Sequence, residues 1–145
     1  MKNKSPSLIK KKYRYELLEN GFSNEDIACG RKVLNSKRIT MATNTKNFEK
    51  AFAKKIGVKY ALMVNSGSSA NLLATFAAGN PLRKNRIKHG DEVIMPVLCW
   101  STALWPFVQF GLKPIFVDID KETLNINVEN LISKINSKTK AIMLI

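Results

Sequence analysis

The residues best suited to chemistry are Asn65-Ser66-Gly67-Ser68-Ser69, set between an apolar run and a stretch with helical spacing. A glycine there lets the backbone turn tightly and lets a ligand approach it closely. Ser68 and Ser69 place hydroxyls beside the unbonded N–H groups of a helix start. Backbone donors, a favourable helix dipole and short hydroxyls are what a phosphate group requires. Each charge-assisted hydrogen bond of this kind contributes roughly 1.5–3 kcal/mol. The same residues also make an ordinary helix cap with a turn glycine, so taken alone they leave both uses open. They are not a Walker-type loop, which needs Gly-Lys followed by Ser or Thr.

A second group is Pro96-Val97-Leu98-Cys99-Trp100-Ser101-Thr102. A tryptophan leaving the end of a strand can lay its ring on a planar ligand, although a lone tryptophan is more often core. Trp105, further along, is expected in the core. Asp118-Ile119-Asp120 is a third group, but aspartates routinely end strands and shape turns. His89, beside Gly90 in a basic loop, is expected to be solvated.

The elements that must position these groups follow from periodicity. Ser23 predicts a cap for a helix running from Asn24 to about Asn35, with Glu25 and Asp26 suiting its positive end. Phe48, Ala51, Phe52 and Ile56 have helical spacing over 45–56, and Gly57 stands where a closing glycine belongs. Val58–Asn65 is a short apolar run that predicts a buried strand. Then come a helix to Ala78, a polar basic loop from Pro81 to Gly90, and a strand Glu92–Met95 stopped by Pro96. A helix over 102–110 has Pro106 near its first turn. Strand 114–118, helix 128–135 and a strand from Lys140 complete the series. Strands alternating with helices predict a mostly parallel sheet covered on both faces. Ligands of such sheets bind outside the carboxyl ends of the strands, so Trp100 is expected there, one ring face open to a cavity shared with Gly67 and Ser68. The final strand stops without a following loop and the sheet is too small to close, so an incomplete domain is expected.

Composition narrows the class. The chain has 145 residues, 45% of them apolar, enough for a globular core. No apolar run reaches the roughly 18 residues that span a bilayer, and no secretory signal follows the basic start. Two distant cysteines and one histidine suggest reduced thiols, no metal site and a cytoplasmic protein. The net charge of +13 invites a nucleic-acid partner. However, the basic stretches lack interleaved aromatics, so no nucleic-acid or membrane partner is expected.

Several of these stretches, taken in order, are distinctive. Asn65-Ser-Gly-Ser-Ser-Ala-Asn-Leu-Leu-Ala74, Gly90-Asp-Glu-Val-Ile-Met-Pro96, Trp100-Ser-Thr102, Phe116-Val-Asp-Ile-Asp120 with Thr123-Leu-Asn-Ile126, and Lys138-Thr-Lys-Ala-Ile142 closely resemble successive motifs of the DegT/DnrJ/StrS family. Their order and spacing agree over residues 35–145. The resemblance implies part of the large pyridoxal-phosphate (PLP) domain of the aspartate-aminotransferase type (fold type I). An N-terminal arm and helix would occupy 1–40, and the incomplete domain 41–145. It implies an aminotransferase acting on a nucleotide-linked keto sugar for surface polysaccharide such as lipopolysaccharide, with an amino donor and a homodimeric assembly. Gly67 and Ser68 match the pair that holds the PLP phosphate, and Trp100 matches the aromatic stacked on the pyridine ring. Thr40 matches a segment lining the sugar side of the pocket, although Ala42 stands near a position where the family usually has glycine. The family's Schiff-base lysine lies beyond the position matching Ile145, so no catalytic residue is named here, and the chain by itself is expected to be inactive. One branch, to which Ser66–Leu73 and the long loop from Asn80 to Lys88 bear some likeness, carries histidine in place of that lysine. Its members remove the sugar 3-hydroxyl as dehydratases. A phosphate- or nucleic-acid-binding module is the alternative from another class.

Overall fold

A computed structural model describes residues 21–40 and 42–145. The expected arm over residues 1–20 lies outside the described residues. The chain divides into two compact units, one through Ala61 and one from Leu62 to Ile145.

In the first unit, helix α1 spans Asn24–Asn35. The Ser23 hydroxyl accepts the Asp26 amide at 3.1 Å, and the Asp26 carboxylate accepts the Ser23 amide at 2.9 Å. This reciprocal box satisfies two donors that a helix start leaves open. Helix α2, Thr43–Ile56, begins two residues before the 45–56 expected and is closed by Gly57 at φ +77°. Its Phe48 and Phe52 rings stack with centroids 5.7 Å apart.

The second unit is built on strands β1 (Glu92–Pro96), β2 (Lys113–Val117) and β3 (Thr139–Ile142), all parallel in the order β2-β1-β3. Helices α3 (Gly67–Ala78), α4 (Ser101–Phe110) and α5 (Val128–Lys134) cover it. Successive residues of a strand face opposite sides, and both Val93 and Ile94 are 0% exposed. Val93 packs with Ile87 and Leu112 beneath Ala78, Phe107 and Phe110, while Ile94 packs with Val117 and Leu131. Burial on both faces is what a parallel sheet demands. The parallel sheet covered by helices is the architecture that the alternation of strands and helices predicted.

Helices α3 and α4 lie side by side, running the same way. The Asn71 amide reaches Thr102 O near their starts. Near their ends the Phe110 ring lies against Gly79, where a Cβ would overlap it, and meets Phe76 edge-on at 5.3 Å. Gly111 ends α4 at φ +83°, and the His89 ring lies over it. His89 is therefore exposed but seated on backbone rather than simply solvated.

One expectation changes. Residues 58–65 form no strand, and Tyr60 and Leu62 are exposed. Apolar content does not suffice, because a strand is held by ladder hydrogen bonds to a neighbour. Among the described residues, the edge strands β2 and β3 each pair only with β1.

Candidate functional site

The start of α3 is built by Ser66. Its hydroxyl accepts the Ser69 amide at 3.2 Å and donates to the Ser69 hydroxyl at 3.2 Å, while its carbonyl accepts the Ala70 amide at 3.0 Å. Ser69 is therefore engaged in capping. The amides of Gly67 and Ser68, first and second in the helix, have no intrahelical acceptor. Gly67 is helical, not left-handed, and a Cβ built on it meets nothing within 4 Å. The tight-turn reason for a glycine does not hold here. What remains is open space beside the Gly67 Cα, next to two amides without an intrahelical acceptor and the Ser68 hydroxyl, donors of the kind that a dianionic phosphate takes.

Trp100 is the N-cap residue of α4, following the carboxyl end of β1, and is 76% exposed. Its ring is free of the core. The cavity that Ser68 does line, about 270 Å³ between α3 and α4, is bounded by Leu72, Thr102 and Trp105 rather than by Trp100. Trp105, expected in the core, is 53% exposed because α4 turns this face away from the sheet and toward the groove beside α3. Pro106 is the sixth residue of α4, well inside it. A proline there removes the N–H that would bond the carbonyl four residues earlier, that of Thr102. The Asn71 side chain supplies a long replacement at 3.5 Å. Neither Asn71 nor Thr102 stood out as a packing pair in the sequence, though Pro106 was the available signal.

Asp118 and Asp120 serve the loop after β2. Asp118 accepts the Ile119 amide at 2.8 Å, and its own amide donates to Asn130 at 3.2 Å. Asp120 accepts the Thr123 amide at 2.8 Å, the Thr123 hydroxyl at 3.0 Å and the Glu122 amide at 3.1 Å. These bonds, the Thr123 amide foremost, hold the Asp120 carboxyl below the usual aspartate range. A depressed folded value means the contribution is complete above the ordinary aspartate pKa and is lost as pH falls through the depressed one. Following the Thr123 amide by NMR on acidification should give a midpoint below that of ordinary aspartate. A midpoint at or above it would remove this loop's carboxylate cap.

Thr40 is exposed, in the connection between α1 and α2. It belongs to the first unit, whereas Gly67, Ser68 and Trp100 belong to the second.

Residues 22–145 match the DegT/DnrJ/EryC1/StrS aminotransferase family. The chain belongs to that family. It is 43% identical over 129 residues to a GDP-4-keto-6-deoxy-D-mannose 3-dehydratase of Yersinia pseudotuberculosis, covering 89% of this chain and 33% of the relative. The structure of an E. coli GDP-4-keto-6-deoxy-D-mannose-3-dehydratase with bound hydrated PLP superposes with a TM-score of 0.82 at 42% identity, over 90% of this chain and 33% of that one. An aminotransferase from Psychrobacter cryohalolentis superposes at 0.72 with 28% identity, over 83% and 29%. The chain thus spans about a third of the length of these relatives. Among the described residues, no helix is long and apolar enough to cross a membrane.

Proposed function

We propose that this chain supplies the phosphate cradle of a PLP-dependent 3-dehydratase acting on a nucleotide-linked 4-keto-6-deoxy sugar, in the synthesis of surface polysaccharide. The observation that carries the choice of reaction is the 43% identity to a 3-dehydratase over 89% of the chain, against 28% to an aminotransferase structure. The aminotransferase expected from the family's general pattern therefore gives way to its dehydratase branch.

The cofactor, when bound, acts as an electron sink for bond breaking next to the sugar carbonyl. This chain's own residues bind and orient. The Gly67 and Ser68 amides and the Ser68 hydroxyl hold the phosphate at the positive end of α3. Trp100, free of the core, offers a ring face to the pyridine. Thr40 is assigned to the sugar side. The assembly is proposed as a homodimer that uses an amino donor.

The deciding experiment incubates the protein expressed from its gene with PLP, an amino-acid donor and GDP-4-keto-6-deoxymannose, with products identified by mass spectrometry. Loss of the 3-hydroxyl is the expected result. A 4-amino sugar would replace this proposal with the aminotransferase. A second variant tests the platform. Trp100→Ala should weaken PLP retention roughly two- to tenfold, the worth of an aromatic stack, with no change in thermal midpoint because the ring is solvent-exposed. Unchanged retention would remove Trp100 from the site.

A further inference from the structure

In a parallel sheet, every segment entering a strand arrives at the same edge. Here backbone hydrogen bonds tie the three entries together: Gly90 N to Gly111 O at 2.8 Å, Lys113 N to Asp91 O at 2.8 Å, and Glu92 N to Lys138 O at 2.9 Å. That amino edge collects the four cations of loop 83–88, Lys113 at the start of β2, and Lys134, Lys138 and Lys140 around the entry to β3. All are exposed. Lys121, in the connection leaving β2, is the other cation between Leu62 and Ile145, and it sits at the opposite edge with Asp118, Asp120 and Glu122. The positive charge of this unit is thus gathered away from the phosphate cradle.

Local structure accounts for only two of them. The C-terminal dipole of α5 favours Lys134 and the Lys140 ammonium donates to the Ser137 carbonyl at 2.7 Å, but the other six lie in connections or at a strand start. Asp91 and Glu92, the acids of this edge, accept from the Lys88 amide and the Asn136 side chain, each at 2.8 Å. Within the basic loop, Leu82 is 93% exposed. It is held in a closed turn, its amide on Asn80 Oδ1 at 2.9 Å and the next amide on the Asn80 carbonyl at 2.9 Å. Ile135, half exposed, lies beside Lys134. An aliphatic side chain held outward among lysines and arginines fits a bilayer interface, where cations meet anionic headgroups and the apolar tip enters the acyl boundary. Nucleic acid fits less well. The flat ring in these entry segments is that of His89, and it already lies over Gly111.

We propose, against the sequence expectation of no membrane partner, that the amino edge of this sheet is a peripheral docking surface for an anionic lipid bilayer, with Leu82 inserted among the basic side chains. The proposal is independent of the reaction catalysed, since it rests on the edge opposite the cradle. The test is co-sedimentation of the protein with phosphatidylcholine vesicles containing phosphatidylserine, against vesicles of phosphatidylcholine alone. Binding should require phosphatidylserine and fall as salt rises. Combining Arg83→Gln, Lys84→Gln and Arg86→Gln should weaken it on the order of a hundredfold, and Leu82→Ser about tenfold. Lys121→Gln should leave it unchanged. Circular dichroism of each variant should match the parent, since all these positions are at the surface. Equal binding to neutral vesicles, full affinity in the triple variant, or tighter binding to single-stranded polyuridine than to the anionic vesicles would overturn the proposal.

Discussion

Gly67→Val should lower PLP affinity by two orders of magnitude or more, while Ser69→Ala should change it less than about threefold. A valine there projects two methyl groups into the space beside the Gly67 Cα, next to the amides of Gly67 and Ser68 that lack an intrahelical acceptor. That blocks contacts each contributing roughly 1.5–3 kcal/mol. Ser69 has less to lose, because its amide and hydroxyl are already bonded to Ser66. The fold should survive, since Gly67 is helical and a Cβ there meets nothing within 4 Å. Titration with PLP and with pyridoxal, which lacks the phosphate, separates the causes. The valine variant should lose affinity for PLP and little for pyridoxal. Equal PLP affinities for parent and Gly67→Val would show that the phosphate binds elsewhere.

Ile94→Ala should cost about 2–5 kcal/mol of stability, the range for truncating a fully buried aliphatic residue. Ile94 is 0% exposed on the central strand and packs against Val117 and Leu131. Its loss opens a cavity beneath α5. That helix has seven residues and is too short to persist without packing. Urea unfolding should show the lowered midpoint, and hydrogen exchange should show α5 opening first. Ile142→Ala, on edge strand β3 and 45% exposed, should cost much less. If the two substitutions cost the same, the buried core is not where these contacts put it.

The features legible in the sequence were those whose cause is local. Ser23 followed three residues later by Asp26 carries its own capping geometry. Gly57 stops its helix because it adopts a left-handed conformation that other residues resist. The start of α3 is similarly local: Ser66 caps it and Gly67 leaves room above it. Ordered motifs over 35–145 carried the family, and the match over 22–145 agrees. The preference within the family for a dehydratase lay in a weaker likeness, and overall identity to relatives was needed to favour it.

By itself, then, the sequence determined helix boundaries, the parallel alternation of strands and helices, and the family, because caps, periodicity and turn glycines act over a few residues. Tertiary structure decided whatever depends on partners distant along the chain. It left the apolar run 58–65 without a ladder, since strand formation needs a neighbour and not merely hydrophobicity. It placed Trp105 beside Ser68 and set Asn71 against the carbonyl that Pro106 frees, through the packing of two helices. It also brought most of the second unit's basic side chains to one edge, because parallel strands bring all their entries to the same side.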